Sequence, residues 1–218
     1  MNRQELQLLQ EGLRQLGITP QSGIVSSFSV FLEELILWNR STNLIGQADP
    51  SQIIIKHILD SAAVYPLIKN KSRSIVDLGA GAGFPSVPLA IVDPGLDILA
   101  VERRNKRAAF LRNIGVMMGL ANFRVHQGDA REVAGSYDVV TARGVGELSL
   151  IYSLSRRLLK NKAMILAFKG KITEIEKEIK RLKQQQSTQG KLSLRIQKVN
   201  VPFLEDEERN IVIIQTLA

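Results

Sequence analysis

The most informative segment of this chain reads Asp77-Leu78-Gly79-Ala80-Gly81-Ala82-Gly83-Phe84-Pro85. It directly follows a short apolar run typical of a strand, and it leads into an apolar run typical of a helix. Glycines at alternate positions let the backbone turn tightly and come close to a ligand. In an open α/β sheet, ligands bind outside the carboxyl ends of the strands, where such a loop lies. The segment therefore predicts an α/β fold with a ligand site on this loop.

Strand-like and helix-like runs alternate through the rest of the chain. Candidate strands cover residues 74–78, 97–101, 123–126, 137–141, 163–168, 192–199 and 210–217. Candidate helices cover residues 85–92, 106–118, 148–159 and 171–185, and residues 187–190 form a candidate loop. The alternation favours a mostly parallel sheet covered by helices on both faces. The last two strands are neighbours without a helix between them, which predicts a Rossmann-like sheet of seven strands with an antiparallel last strand.

The first seventy residues have helical rather than strand periodicity. Leucines at positions 6, 9, 13 and 16 share one helix face, and a second apolar stripe runs from Phe28 to Trp38. Asp49 precedes Pro50 and has the features of a helix N-cap. We therefore expect an N-terminal helical segment, residues 1–70, packed on a main domain, residues 71–218.

The residues around the glycine loop indicate which ligand it binds. A dinucleotide fingerprint has a third glycine where this chain has Phe84, and the acidic Asp77 would repel a pyrophosphate but suit a ligand bearing an ammonium group. Glu102 ends the second predicted strand, where an acid accepts hydrogen bonds from ribose hydroxyls. Asp129 follows the third strand and could accept from an adenine amino group. The alternative is a set of tight turns with solvated acids, but four features in this order favour a nucleoside site.

Composition excludes several classes of protein and site. The 218 residues are 44% hydrophobic and 23% charged, which excludes a disordered chain. The absence of cysteine and the presence of only two histidines exclude a disulfide scaffold and a thiolate or histidine-rich metal site, so we expect no metal. No apolar run approaches the ~18 residues of a membrane span, and the start lacks a secretion signal, so we expect a cytoplasmic protein without membrane contact.

The positive charge of the chain is concentrated in one region. The net charge is +8, and residues 151–200 alone carry 13 lysines and arginines against three acidic residues. Such a basic segment on a nearly neutral body is typical of a protein with a polyanionic partner. A solvated lysine-rich helix would give the same count, so charge alone leaves both interpretations open.

At this point the sequence resembles a known family, the bacterial small-subunit ribosomal RNA guanine-N7 methyltransferases (the RsmG or GidB family). The resemblance extends over nearly the whole length. It rests on Trp38-Asn39 with Asn43-Leu44, on His57-Ile58-Leu59-Asp60-Ser61, on the loop from Asp77 to Pro85, on Lys106-Arg107 with Phe110-Leu111, on Asp138 to Arg143 and on Lys169-Gly170. It implies the class I methyltransferase fold, S-adenosyl-L-methionine as cofactor and 16S ribosomal RNA as substrate, with guanine 527 of the 530 loop as target. The partner would be the RNA, the small ribosomal subunit or an assembly intermediate, and the enzyme is expected to act as a monomer.

The resemblance also implies roles for individual residues. Contact with the cofactor is implied for Gly79, Phe84, Ala130, Arg131 and Arg143, to which our reading of the residues adds Gly81, Glu102 and Asp129. Three departures qualify this assignment: many family members have aspartate at position 102, the order Asp129-Ala130-Arg131 reverses the usual R-A-E, and Gly144 replaces an alanine. Side-chain roles at 129 and 131 are therefore open.

Four residues are candidates for positioning the target base: His57, Asp60, Arg143 and Lys169. His57 and Asp60 lie three residues apart on one helix face, so they either form a mutual hydrogen bond or line the base pocket. Phe84 either covers the ligand or belongs to the core. Trp38 ends an apolar stripe, which favours packing over base stacking.

RNA contacts are expected from Arg104, Lys106, Arg107 and Lys169. The first three crowd the end of the second strand and the start of the next helix, where positive charge opposes the helix dipole. This unfavourable interaction with the helix dipole indicates that the basic residues bind a phosphate group. The basic face of the helix at 171–183 is the alternative RNA surface, or it is merely solvated.

The chemistry implied by the resemblance needs no general base. Guanine N7 is an acceptor without a proton, so the reaction depends on alignment, which can supply ~7–11 kcal/mol. Two other interpretations remain: a nicotinamide-dependent dehydrogenase, which would need the third glycine at Phe84, and a non-catalytic RNA-binding protein, which would not explain the glycine loop and Glu102. Binding of S-adenosylhomocysteine against NAD tests the first, and methyl transfer to ribosomal RNA tests the second.

Overall fold

A seven-stranded sheet forms the centre of the molecule. The computed structural model describes residues 1–46, 49–69, 73–185 and 192–216. The strands are β1 (Ser74–Leu78), β2 (Asp97–Glu102), β3 (Phe123–Gln127), β4 (Tyr137–Arg143), β5 (Leu159–Lys169), β6 (Leu192–Lys198) and β7 (Asn210–Thr216), in the order β3-β2-β1-β4-β5-β7-β6. Strands β1 to β5 are parallel, and β7 is antiparallel to β5 and β6. The predicted fold is confirmed.

Helices cover both faces of this sheet. They are α1 (Arg3–Gln15), α2 (Ser22–Thr42), α3 (Pro50–Ile53), α4 (Asp60–Ala62), α5 (Tyr65–Ile68), α6 (Ser86–Val92), α7 (Asn105–Met117), α8 (Leu148–Ser155) and α9 (Ile172–Gln185), with a π-helical segment at Ile54–Leu59 and 3-10 turns at Ala130–Glu132 and Arg156–Leu158. Alternate strand residues enter two separate cores: Ile211 and Ile213 join the core beneath α1, α2, α6 and α7, whereas Val212 and Ile214 join the core beneath α8 and α9. This alternation is what a strand buried on both faces requires.

Several predicted boundaries differ from the structure. Strand β4 continues to Arg143 and β5 begins at Leu159, so the predicted helix 148–159 ends four residues early, at Ser155. The reason is tertiary pairing, because Leu159 already pairs with Tyr137 of β4. The predicted loop 187–190 and the last residue of the predicted strand 210–217 lie outside the described residues.

The glycine loop makes the turn that its sequence predicts. Gly79, Gly81 and Gly83 have φ angles of 69°, 60° and 89°, in the region that favours glycine. A Cβ at Gly83 would lie 2.6 Å from Cγ2 of Val87, so that position also needs the absence of a side chain. The loop thereby passes from β1 into α6 within a few residues.

The N-terminal helices share a core with the sheet. Leu9 and Phe28 belong to the same buried cluster as Ile75 and Leu89. Asp49 caps α3 as predicted, since its side chain accepts a hydrogen bond of 3.0 Å from the amide of Gln52. The proposed boundary at residue 70 lies outside the described residues, so the division into 1–70 and 71–218 stays a prediction.

The Trp38 to Leu44 motif ends helix α2. The Trp38 ring packs edge-on against Phe110 with 5.7 Å between centroids, which favours the packing role. Asn43 takes a left-handed conformation after the last turn, and the Asn39 side chain accepts a hydrogen bond from the amide of Ile45. Within the described ranges, none of the helices has both the length and the apolar character needed to cross a bilayer.

Candidate functional site

A cavity opens at the carboxyl ends of β1, β2 and β3. We call it the β1–β3 cavity; its volume is about 340 Å³, within the usual range for small-molecule sites. Polar and charged residues from three successive strand ends line it, together with an apolar wall. The lining includes Gly79, Glu102, Arg104, Arg107, Asp129, Ala130 and Arg131, with Val101, Val145, Leu150 and Leu154 as apolar members.

Glu102 is buried at the edge of the β1–β3 cavity and held in a single orientation. Its Oε2 accepts a hydrogen bond of 2.9 Å from the amide of Gly81, and its Oε1 accepts one of 2.8 Å from the amide of Arg104. Each carboxylate oxygen has a further lone pair for a ligand. A pair of ribose hydroxyls suits such an acceptor, as the sequence predicts.

The glycine loop leaves room for a ligand at Gly79. A Cβ at this position would lie 3.1 Å from Cγ2 of Val145, inside the cavity lining. Gly81 and Phe84 do not line the cavity. Gly81 acts through its amide on Glu102, and Phe84 is buried between the rings of Phe31 and His57. The structure thus favours the core role for Phe84.

The turn after β3 places Ala130 in the cavity wall. The Asp129 side chain caps this turn by accepting from the amide of Arg131 at 2.9 Å, and it lies 3.6 Å from the Arg131 guanidinium. Arg157 fixes the turn from behind by donating to the carbonyls of Ala130 and Val133 at 2.6 and 2.8 Å. The contacts of Asp129 and Arg131 with a cofactor stay predictions.

Asp77 is completely buried and lines neither cavity of this site. The hydroxyl of Thr141 donates to its Oδ1 at 2.8 Å. Burial raises the pKa of Asp77 to about 6, against the opposing effect of the Thr141 and Ser86 hydroxyls. The expectation that this carboxylate faces a ligand ammonium is therefore wrong, because the side chain lies in the interior beside Thr141 of β4 and Ser86 at the start of α6.

A second cavity lies beside the first, at the carboxyl ends of β4 and β5. This β4–β5 cavity has a volume of about 290 Å³ and shares Gly144 with the β1–β3 cavity. Polar residues from the N-terminal segment and the three strands β4, β5 and β7 line it. They are Asp60, Arg143, Lys169, Arg209 and Asn210.

Arg143 contacts two other predicted positioning residues, Asp60 and His57, beside the β4–β5 cavity. Its Nη2 lies 2.8 Å from Asp60 Oδ2, donates to the carbonyl of Lys56 at 2.6 Å and lies 3.2 Å from Nδ1 of His57. Arginine only donates, so Nδ1 of His57 is the acceptor and the ring proton is on Nε2. His57 and Asp60 are linked through Arg143 in this way, rather than by the mutual hydrogen bond considered above.

The charge states of this cluster follow from burial. Burial, together with the positive charges of Arg143 and Arg209, lowers the pKa of His57 to about 4. His57 is therefore neutral at pH 7. Burial raises the pKa of Asp60, while Arg143 and Arg209 oppose that rise.

Comparisons with known proteins identify the family. A family model described as rRNA small subunit methyltransferase G matches residues 24–212. The chain belongs to this family. Relatives of the same name from Bacillus subtilis (strain 168) and Borrelia turicatae (strain 91E135) are 32% and 30% identical, over 94% and 93% of this chain and 88% and 95% of their own lengths. A third, from Bacillus licheniformis, is 33% identical over 94% of this chain and 87% of its own length.

Solved structures agree on the fold of this methyltransferase family. An O-methyltransferase from Bacillus cereus in complex with SAH has a TM-score of 0.58 at 15% identity, covering 86% of this chain and 91% of its own. The O-methyltransferase TomG from Streptomyces achromogenes, in complex with SAM, has a TM-score of 0.58 at 12% identity, covering 86% and 90%. The fold is that of the class I methyltransferases. Family membership makes the chain an S-adenosylmethionine-dependent rRNA methyltransferase and excludes the dehydrogenase and non-catalytic interpretations.

The β1–β3 cavity of this methyltransferase fits its cofactor. The Glu102 carboxylate, the space at Gly79 and the apolar wall match a ribose, a close backbone approach and a purine. Within the described ranges, no cluster of acidic and histidine side chains could hold a metal ion.

The ammonium group of Lys169 forms contacts within the methyltransferase itself. Its Nζ lies 2.7 Å from Glu178 Oε2 and donates to the carbonyl of Gly146 at 2.7 Å. Glu178 also accepts from the amide of Leu148. Lys169 therefore fixes the loop after β4, and a direct RNA contact stays a prediction.

Basic residues differ in whether an acid neutralises them. On the α9 side, Lys177 pairs with Glu174 and Arg181 pairs with Glu147. At the β2–α7 junction, Arg104 and Lys106 are exposed, Arg107 is half-buried, and no ion pair involves them among the described residues. Lys180 and Lys183 of α9 likewise form no ion pair among the described residues, so both surfaces carry unneutralised cations and the RNA contacts stay predictions.

Arg209 and Asn210 are site residues that the sequence analysis missed. Arg209 lies 3.4 Å from Asp60 Oδ1 through Nε and 2.7 Å from Glu207 Oε2 through Nη2. A signal was available, because an antiparallel last strand beside β5 must begin where β5 ends. The site lies at the carboxyl end of β5, so the first residues of β7 had to be near it.

Proposed function

We propose that this methyltransferase transfers a methyl group to N7 of a guanine in 16S ribosomal RNA, with guanine 527 of the 530 loop as the target that the resemblance implies. The observation that carries the proposal is the pair of cavities that share Gly144. One fits the cofactor, and the other is a polar cavity for a base turned out of its strand. When bound, S-adenosylmethionine supplies a methyl group on a positively charged sulphur.

The chain's own residues position the base and remove no proton. Guanine N7 carries none, so a neutral His57 whose Nδ1 accepts from Arg143 needs no role as a base. Arg143 is held by Asp60, the carbonyl of Lys56 and His57, so its Nη2 does not fork onto N7 and mask the nucleophile. The site works by alignment and by exclusion of water.

The rate of bound methyl transfer should be nearly independent of pH. We expect a flat single-turnover profile between about pH 7 and pH 9, because neither N7 nor the sulphonium titrates there and His57 has lost its proton well below that range. Both substrates must be saturating so that RNA binding does not enter the profile. A rate that climbs tenfold per pH unit, and loses this climb in His57→Ala, would show that a protonated atom is methylated instead.

Binding of RNA should weaken steeply with salt, and the β2–α7 junction should carry part of that dependence. The double variant Lys106→Ala/Arg107→Ala is expected to lower the slope of log affinity against log salt by ~1–2 units. The matched control is Lys180→Ala/Lys183→Ala on α9, which should change the slope less. If the control changes the slope more, the RNA lies on α9.

Transfer of labelled methyl from S-adenosylmethionine to ribosomal RNA tests the proposal as a whole. Mature small subunits, naked 16S RNA and immature particles are compared, and the product is digested to nucleosides. We expect 7-methylguanosine, made by a cytoplasmic monomer. Label in any other nucleoside would contradict the N7 assignment, and absence of label from all three substrates would contradict the substrate.

A further inference from the structure

Asn210 lines the β4–β5 cavity, and its side-chain oxygen accepts no hydrogen bond among the described residues. It begins β7, pairs with Lys169 of β5 and is buried, with 6% of its surface exposed. Its Nδ2 donates to the carbonyl of Gly170 at 2.7 Å. This bond commits one of the two N–H groups and fixes the orientation of the amide, which leaves Oδ1 as the acceptor that Asn210 offers to a ligand in the cavity.

The opposite side of the same cavity carries donors. Arg143 of β4 lines it together with Arg209, and both guanidinium groups hold the carboxylate of Asp60. Strand order places β5 between β4 and β7, so the backbones of Arg143 and Asn210 are about two strand spacings apart, roughly 10 Å. Arg143 is in register with Ile211 through Phe168, whereas Asn210 is in register with Lys169, so the two side chains leave opposite faces of the sheet and reach the cavity beyond the strand ends.

Guanine presents a matching pattern across its ring. Its O6 and N7 are acceptors on one edge, and its 2-amino group is a donor at the far end from N7. With N7 toward the shared Gly144 and the β1–β3 cavity, O6 lies on the cationic side and the 2-amino group points toward β7. Adenine has a donor in place of O6 and no 2-amino group, so it fits neither side.

We propose that Asn210 is a specificity-determining residue, whose Oδ1 accepts a hydrogen bond from the 2-amino group of the target guanine. The inference rests on the proposed function and adds to it the atom that recognises the base, Oδ1 of Asn210. It also explains why an asparagine whose nitrogen is tied to Gly170 is buried at the wall of a polar cavity.

Substitution in both the RNA and the protein tests this contact. Small subunits are reconstituted with guanosine or with inosine, which lacks only the 2-amino group, at the target position. The ratio of kcat/KM for the two substrates is measured in the unaltered protein, in Asn210→Leu and in Asn210→Ala. Both kcat/KM values in a ratio are measured on the same protein, so a general loss of activity in a variant cancels. Asn161→Leu, an exposed asparagine near the other end of β5, is the control.

We expect the unaltered protein and the control to prefer guanosine about tenfold, and the two Asn210 variants to use both substrates nearly equally. A preference that persists in both Asn210 variants, or no preference in the unaltered protein, would overturn the role of Asn210 while leaving methyl transfer to guanine intact. Absence of transfer from the unaltered protein to either RNA would overturn the proposed function as well.

Discussion

Replacement of Gly79 by valine is expected to lower the affinity for S-adenosylmethionine at least about a hundredfold. Gly79 lines the β1–β3 cavity with a φ of 69°, and a Cβ there would already lie 3.1 Å from Val145. The branched side chain would fill ligand space and strain the turn by about 1–2 kcal/mol. The loss should be measured by calorimetry on protein that is folded by circular dichroism.

Gly119 provides a matched control for this variant. Its φ of 59° is similar, but a Cβ at Gly119 would have no neighbour within 4 Å. Gly119→Val should therefore show the same backbone strain as a small loss of stability and keep its cofactor affinity. Equal affinity losses in the two variants would show that strain, and not the filled cavity, is responsible. The sequence alone would suggest Gly81 for this test. Gly79 is chosen because it lines the cavity, whereas Gly81 does not.

Replacement of Arg143 by alanine is expected to destabilise the fold by about 3 kcal/mol. The guanidinium is the closest cation to the buried carboxylate of Asp60, at 2.8 Å, and its removal leaves that buried charge compensated only by the more distant Arg209, at 3.4 Å. Chemical denaturation at pH 8 measures the loss. Methyl transfer should fall in the same variant, because the positioning cluster around His57 loses its centre.

The stability of Arg143→Ala should increase as the pH falls. Burial already raises the pKa of Asp60, and without Arg143 that pKa rises further. A carboxyl group with a raised pKa binds its proton more tightly in the folded state, so Arg143→Ala should recover stability as the pH falls from 8 to 5. Adding Asp60→Asn should restore part of the loss at pH 8. An equal loss at both pH values would mean that packing, not the buried charge, causes it.

The sequence predicted those parts of the site that depend on local pattern. The glycine loop requires positive φ angles, and Glu102 ends a strand that parallel pairing places beside that loop. Both features lie at the carboxyl ends of adjacent strands, where the rule for open α/β sheets applies without knowledge of side-chain contacts.

The parts that sequence reasoning missed depend on contacts distant in the chain. Whether an acid at a strand end faces a ligand or the core depends on its neighbours in the fold, and Asp77 is completely buried and accepts a hydrogen bond from Thr141 of β4. His57 titrates near neutrality in isolation, but Arg143, 86 residues away, and burial change its charge state. Arg209 reaches Asp60 only because β7 is inserted between β5 and β6.

That insertion of β7 has a consequence for how the enzyme is made on a ribosome. The residues that line the β1–β3 cavity all lie between positions 78 and 154, whereas the β4–β5 cavity also needs residues 199 to 211. The strand that carries Asn210 is synthesised last, yet it occupies the place directly beside β5. A nascent or truncated chain that ends before β7 therefore contains every residue of the proposed cofactor site and lacks one wall of the proposed base site. During synthesis from the N-terminus, the proposed base site is completed only after the proposed cofactor site.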